Sequence, residues 1–150
     1  MIDSIIKGLR PEILSKLTDQ LGLSQEQVSS AMDTTKESLS KSVTEEVTGG
    51  NLDSLLELVN QGSKASGNSS FNNIASNLAA DFISKLGVSD GIAKQITNFI
   101  LPMILDKIAA QSGGNASKTD LVKLFGESLG NIIKGKSREG ILGRLGDLFK

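Results

Sequence analysis

Apolar residues recur along this chain at gaps of three and four, the period of an α-helix rather than a strand. Ile2, Ile5, Ile6 and Leu9 share one side of a short helical arm over Met1 to Arg10. Pro11 suits the first turn of a following helix, whose stripe is Ile13, Leu14, Leu17 and Leu21 and which stops at Gly22. Ser24 to Gln27 has the S-x-x-Q pattern of a capping box. It opens a long, polar helix that turns Val28, Ala31, Met32, Leu39, Val43 and Val47 inward and ends at Gly49-Gly50. Asn51 caps a short helix carrying Leu52, Leu55, Leu56 and Val59. The small, polar stretch from Gln61 to Ser70 reads as a flexible linker over 62–70. Ser70 then caps a helix with Phe71, Ile74, Leu78, Phe82, Ile83 and Leu86 as its stripe.

The most apolar stretch follows. Ile92, Ile96, Phe99, Ile100, Met103, Ile104 and Ile108 keep helical spacing, and Leu101 and Leu105 fill the remaining faces. A helix apolar nearly all round is expected to be buried on several sides, with Ile100 and Ile104 in the core. The run from Phe99 to Leu105 is far short of the roughly 20 residues that span a bilayer. Ser89 is placed to cap this helix after the Leu86-Gly87 stop. Pro102 sits in its middle, removing one hydrogen bond and crowding the carbonyl of Asn98 at about 3 kcal/mol. It either kinks one helix or opens a second at its first position. After Ser112-Gly113-Gly114 a helix begins near Ser117, where S-K-T-D resembles a capping box, and carries Leu121, Leu124, Phe125, Leu129 and Ile132. The last stretch holds Ile141, Leu142, Leu145, Leu148 and Phe149 on one stripe, interleaved with Gly140, Gly143 and Gly146. So short and glycine-rich a helix does not hold alone in water and must dock on protein or on a membrane surface. The pattern predicts an all-α protein, a multihelical bundle of about seven to nine helices. It divides into an N-terminal helical half over 1–61, the linker, and a C-terminal helical half over 71–150.

The halves look alike. Leu17, Leu21-Gly22-Leu23-Ser24 matches Phe82, Leu86-Gly87-Val88-Ser89 at an offset of 65 residues, and Gly49-Gly50-Asn51 matches Gly113-Gly114-Asn115 at 64. Leu55-Leu56 and Leu58 match Leu121-Val122 and Leu124 at 66. Each half reads helix, Leu-Gly-x-Ser turn, long helix, Gly-Gly-Asn turn, short helix. That order is expected either from an internal duplication or from the common grammar of glycine stops and Ser/Asn caps. Glu37 falls opposite Pro102, so the long helix of the first half is expected to be much the more exposed.

The segment KLGVS…ILPMILDKIAAQSGG resembles the YidB-like family of small bacterial proteins of unknown function, through Leu86, Gly87, Val88, Leu101, Pro102, Ile104, Asp106 and Gly113. The resemblance covers about Phe71 to Lys150. It implies a multihelical fold and no particular activity. Where the family pattern leads one to expect a Pro-x-Gly turn after the helix, this chain has Gln111-Ser112-Gly113.

Composition narrows the chemistry. Among 150 residues there is no Cys, His, Trp or Tyr, so thiol and imidazole catalysis and thiolate metal sites are excluded. General base work would fall to Asp, Glu or Lys, and no paired-carboxylate motif stands out; Glu45 and Glu46 point to different faces of a helix and read as solvated. No EF-hand spacing is present. Gly130 to Ser137, GNIIKGKS, fits the phosphate-binding pattern G-x-x-x-x-G-K-S. That loop belongs after a buried strand, whereas the residues before it, TDLVKLFGESL, are helix-periodic, so a plain Gly-containing connection is expected. No enzyme activity, cofactor, metal or small-molecule substrate follows. MIDSIIKGLRP has no signal-peptide pattern, which makes the cytoplasm the default.

Charge is uneven. Residues 1–62 carry 5 basic and 10 acidic groups, net −5, and residues 63–150 carry 11 and 7, net +4. Either these are solvated helix faces, or the halves attract one another or a partner. The expected function is a non-catalytic structural or protein-interaction module that associates with itself or another protein. Its candidate surface is Ile141, Leu142, Leu145, Leu148 and Phe149 with Lys134, Lys136, Arg138 and Arg144. The alternative is nucleic-acid binding through the basic C-terminal half; contact with a membrane surface through the same tail is a further option.

Overall fold

The computed structural model describes residues 2–65 and 67–126. They form six α-helices and one 3₁₀ turn: α1 (Ile2–Leu21), α2 (Gln25–Thr48), α3 (Leu52–Gln61), the 3₁₀ turn Gly62–Ala65, α4 (Ser69–Leu86), α5 (Asp90–Ser112) and α6 (Lys118–Phe125). There is no strand among the described residues.

Both prolines lie inside helices. The arm and the helix predicted on either side of Pro11 are one helix of 20 residues, because Leu9 before the proline and Ile13 after it are buried in the same core. Pro11 itself is exposed, and the carbonyl it frees belongs to exposed Lys7, where water reaches it. Pro102 likewise sits within a single helix of 23 residues, and the freed carbonyl is that of exposed Asn98. The Pro11 fusion lowers the helix number expected over the described residues by one, and the expected last helix with Ile141 to Phe149 lies outside them.

The caps follow local chemistry. Ser24 Oγ accepts from the Gln27 N–H at 3.1 Å while Gln27 Oε1 accepts from the Ser24 N–H at 3.0 Å, a complete capping box. Ser89 Oγ accepts from the Ile92 N–H at 3.2 Å. At α4 the cap is Asn68 rather than Ser70: Asn68 Oδ1 accepts from the Phe71 N–H at 3.1 Å, and Ser70 is buried with its hydroxyl used elsewhere. Asn51 holds the N-cap position of α3 without a side-chain cap bond. Gly22, Gly87 and Gly113 close their helices at positive φ, as their places at the ends of the periodic runs require.

Helices α1, α2, α4 and α5 pack as a ring in which each touches the next, α2 against α4 most extensively and α5 back against α1. The turns at 22–24 and 87–89 are short and make α1–α2 and α4–α5 antiparallel pairs. Leu17, Val28, Leu78, Phe82, Ile96, Ile100, Leu101 and Ile104 form the centre, each at 0% exposure. Ile83, expected in the α4 stripe, is 38% exposed, since the buried row on that helix runs through Ile74, Leu78 and Phe82. Helix α3 and the 3₁₀ turn lie against α5.

The long helix of the first half departs most from expectation. It is not the more exposed: α2 buries Thr34, Thr35, Ser38, Ser42 and Glu46 besides its apolar residues. Small polar side chains at four-residue spacing give a face that α4 approaches closely, so α2 is buried without being apolar. Glu46, read as solvated beside Glu45, is buried here.

Candidate functional site

The tail residues singled out as an interaction surface, Lys134, Lys136, Arg138, Ile141, Leu142, Arg144, Leu145, Leu148 and Phe149, lie outside the described residues, as do Gly130 to Ser137. The chain is described as far as Gly126, which follows α6. Ser117 stands at the α6 N-cap, where its N–H donates to Asp120 Oδ2 at 2.8 Å. Beside this helix a groove of about 180 Å³ opens against the end of α5. Ile108, Ala116 and Leu124 form its apolar lining, and Asp120 and Lys123 stand with them.

The junction next to this groove is polar and tightly specified. Asn60, near the end of α3, reads the backbone of Ala116 in both directions: its Oδ1 accepts from the Ala116 N–H, and its Nδ2 donates to the Ala116 carbonyl at 3.2 Å. Three residues on, the Ser63 N–H donates to Asp106 Oδ1 at 2.8 Å. Gly62 makes that approach feasible: its φ is +63°, and a Cβ there would stand 2.6 Å from Asp106 Oδ1. The stretch that composition marks as a linker thus contains a turn seated on α5, with Gly62 and Ala65 buried. Asp106 holds that turn.

Between α2 and α4 lies a polar cluster whose buried members are Ser42, Glu46 and Ser70, with Asn73 and Asn77 exposed at its edge. Glu46 Oε1 accepts from Ser70 Oγ at 2.5 Å, and Asn73 Nδ2 donates to Glu46 Oε2 at 3.2 Å. Asn51 Nδ2 reaches Glu46 Oε1 at 3.4 Å, and Asn77 Nδ2 donates to Ser42 Oγ at 3.2 Å. These donors are hydroxyls and amides, and neither ion pair among the described residues includes Glu46. Buried charges are ordinarily held by such hydrogen bonds or by a counter-ion. Sequence reasoning missed Glu46 because it weighed the Glu45-Glu46 pair alone. The row Ser38, Ser42, Glu46, one step per helical turn, was the available signal.

On the α1 side, Lys36 Nζ stands 2.8 Å from Asp3 Oδ1. The hydrogen bond from Lys36 holds the Asp3 carboxyl below its ordinary range, and Asp3 in turn raises the Lys36 ammonium. Lys16 lies over the Phe99 ring, 5.4 Å from its centroid, joining α1 to α5 at the surface. Among the described residues, no group of three or more acidic side chains is placed to hold a metal ion, and no helix is long and apolar enough to cross a membrane.

Comparison with protein-family models, curated proteins and solved structures gives no match for this chain.

Proposed function

We propose that this chain is a non-catalytic protein-interaction module, a helical scaffold that associates with itself or with a protein partner through its C-terminal tail. The observation that carries this reading is the apolar groove between α5 and α6, lined as far along the chain as Leu124, with the apolar stripe Ile141 to Phe149 following later in the sequence. Five large apolar side chains at helical spacing call for a covering surface. In this reading Lys134, Lys136, Arg138 and Arg144 steer the encounter, and the acidic first half is the complementary surface. The protein works in the cytoplasm and belongs with the YidB-like bacterial proteins that its second half resembles.

The two halves are proposed to descend from one duplicated unit. Helices of 20, 24 and 10 residues in the first half are followed by 18, 23 and 8 in the second, which supports that reading beyond the sequence offsets.

The test is a chain ending at Lys136, compared with the full chain by light scattering and thermal melting. A dimer that becomes a monomer marks docking between copies; a monomer with a lowered melting temperature marks docking within the chain. Unchanged mass and melting with lost binding to anionic vesicles overturns the protein-docking reading in favour of a membrane surface. Nucleic-acid binding, the second reading, rests on the net charge of +4 over residues 63–150. It demands affinity for DNA or RNA that falls steeply with salt.

A further inference from the structure

The first half is acidic, yet its cations are gathered. Of the 5 basic residues among positions 1–62, three line one cleft between α1 and α2: Lys7, Arg10 and Lys36. The cleft has a volume of about 390 Å³, within the range of about 300–1,000 Å³ usual for small-ligand sites. Lys7 and Arg10 are three apart on α1 and so share a face. Neither enters an ion pair among the described residues; the two pairs present are Lys36–Asp3 and Lys94–Asp90. With ten carboxylates in the same half, solvated cations would be expected to spread among them rather than converge. Ser29 adds a hydroxyl donor to the wall, and Ile6 and Met32, both buried, make it partly apolar. Asp3 and Asp33 also line the cleft, so its formal charge is low and a highly charged polyanion is not the natural occupant.

We propose that the α1–α2 cleft binds a small oxyanion, a phosphate or carboxylate group on an apolar stem, between the Arg10 guanidinium and the Lys7 and Lys36 ammonium groups. Arg10 supplies a planar fork that matches two oxygens of one anion, and Lys7 a mobile point charge beside it. Lys36 is the regulated contact: Asp3 occupies it at 2.8 Å and competes with the incoming oxygens. Ile6 and Met32 take the stem. This inference is independent of the tail-docking reading, since the cleft lies wholly within α1 and α2.

The experiment is a backbone NMR titration of the full-length protein with inorganic phosphate, and separately with acetate, each against sodium chloride at matched ionic strength. Expected are saturable shifts confined to residues around Lys7, Arg10, Ser29 and Lys36. Phosphate saturating the set and acetate not identifies a phosphate site; the reverse identifies a carboxylate site. Arg10→Gln should weaken binding about tenfold, the loss of one charge-assisted contact. Asp3→Asn should strengthen it by freeing Lys36, a gain that a misfolded variant does not give. Lys94→Gln, on α5, should change nothing. Shifts that fail to saturate, that chloride reproduces, or that survive Arg10→Gln and ignore Asp3→Asn overturn the proposal.

Discussion

At the scale of single residues, the seam between α2 and α4 contains two buried polar groups in opposite circumstances. Glu46 receives hydrogen bonds from Ser70 and Asn73, whereas Ser38 Oγ is buried with no hydrogen-bond partner among the described residues. Leaving buried donors unpaired costs about 1–3 kcal/mol, whereas deleting a group that was never paired costs little. Glu46→Ala is therefore expected to lower unfolding free energy by about 1–3 kcal/mol, because buried Ser70 Oγ loses its acceptor, whereas exposed Asn73 turns to water. Ser38→Ala is expected to be neutral or slightly stabilising. Urea denaturation of both variants decides the matter, and equal losses would mean that the seam is hydrated rather than dry.

At the scale of elements, the turn after α3 depends on one glycine. Gly22 and Gly62 both have positive φ, but a Cβ at Gly22 meets nothing within 4 Å, whereas at Gly62 it meets Asp106. Gly22→Ala should cost about 1–2 kcal/mol, the ordinary penalty of a left-handed residue. Gly62→Ala should exceed it by at least about 1 kcal/mol, since the Ser63–Asp106 bond has to break or shift as well. Chemical denaturation of the two variants side by side checks this, and equal costs would make the Asp106 contact unimportant. The helices themselves were legible in the sequence because caps and stops are local: Ser24, Ser89, Gly22, Gly87 and Gly113 sit where their spacing to the apolar rows puts them. The prolines were legible only in part, since whether a proline ends a helix depends on whether both flanks face the same core. The Asn60–Ala116 and Ser63–Asp106 contacts were not legible, because they join residues 56 and 43 positions apart. The anion cleft was equally hidden, as Lys36 comes to Arg10 only by the folding of α2 onto α1.

At the scale of the molecule, α5 is the member against which α1, α3, the 3₁₀ turn and α4 all pack. Ile104 lies at 0% exposure in its middle, and Ile104→Ala is expected to cost about 2–5 kcal/mol through lost burial and a cavity. A domain of about 5–15 kcal/mol total stability would lose much of it, visible as a lower urea midpoint and melting temperature. A loss below about 1 kcal/mol would move the core elsewhere. The α2–α4 seam has a different consequence, which concerns the order in which the chain is made. A domain emerging from the ribosome presents α2 well before α4 exists, and an apolar face waiting in water invites aggregation. Here much of the waiting face is Ser38, Ser42 and Glu46, groups that water satisfies at least as well as α4 does. The nascent first half can therefore remain soluble until Ser70, Asn73 and Asn77 arrive to replace that water.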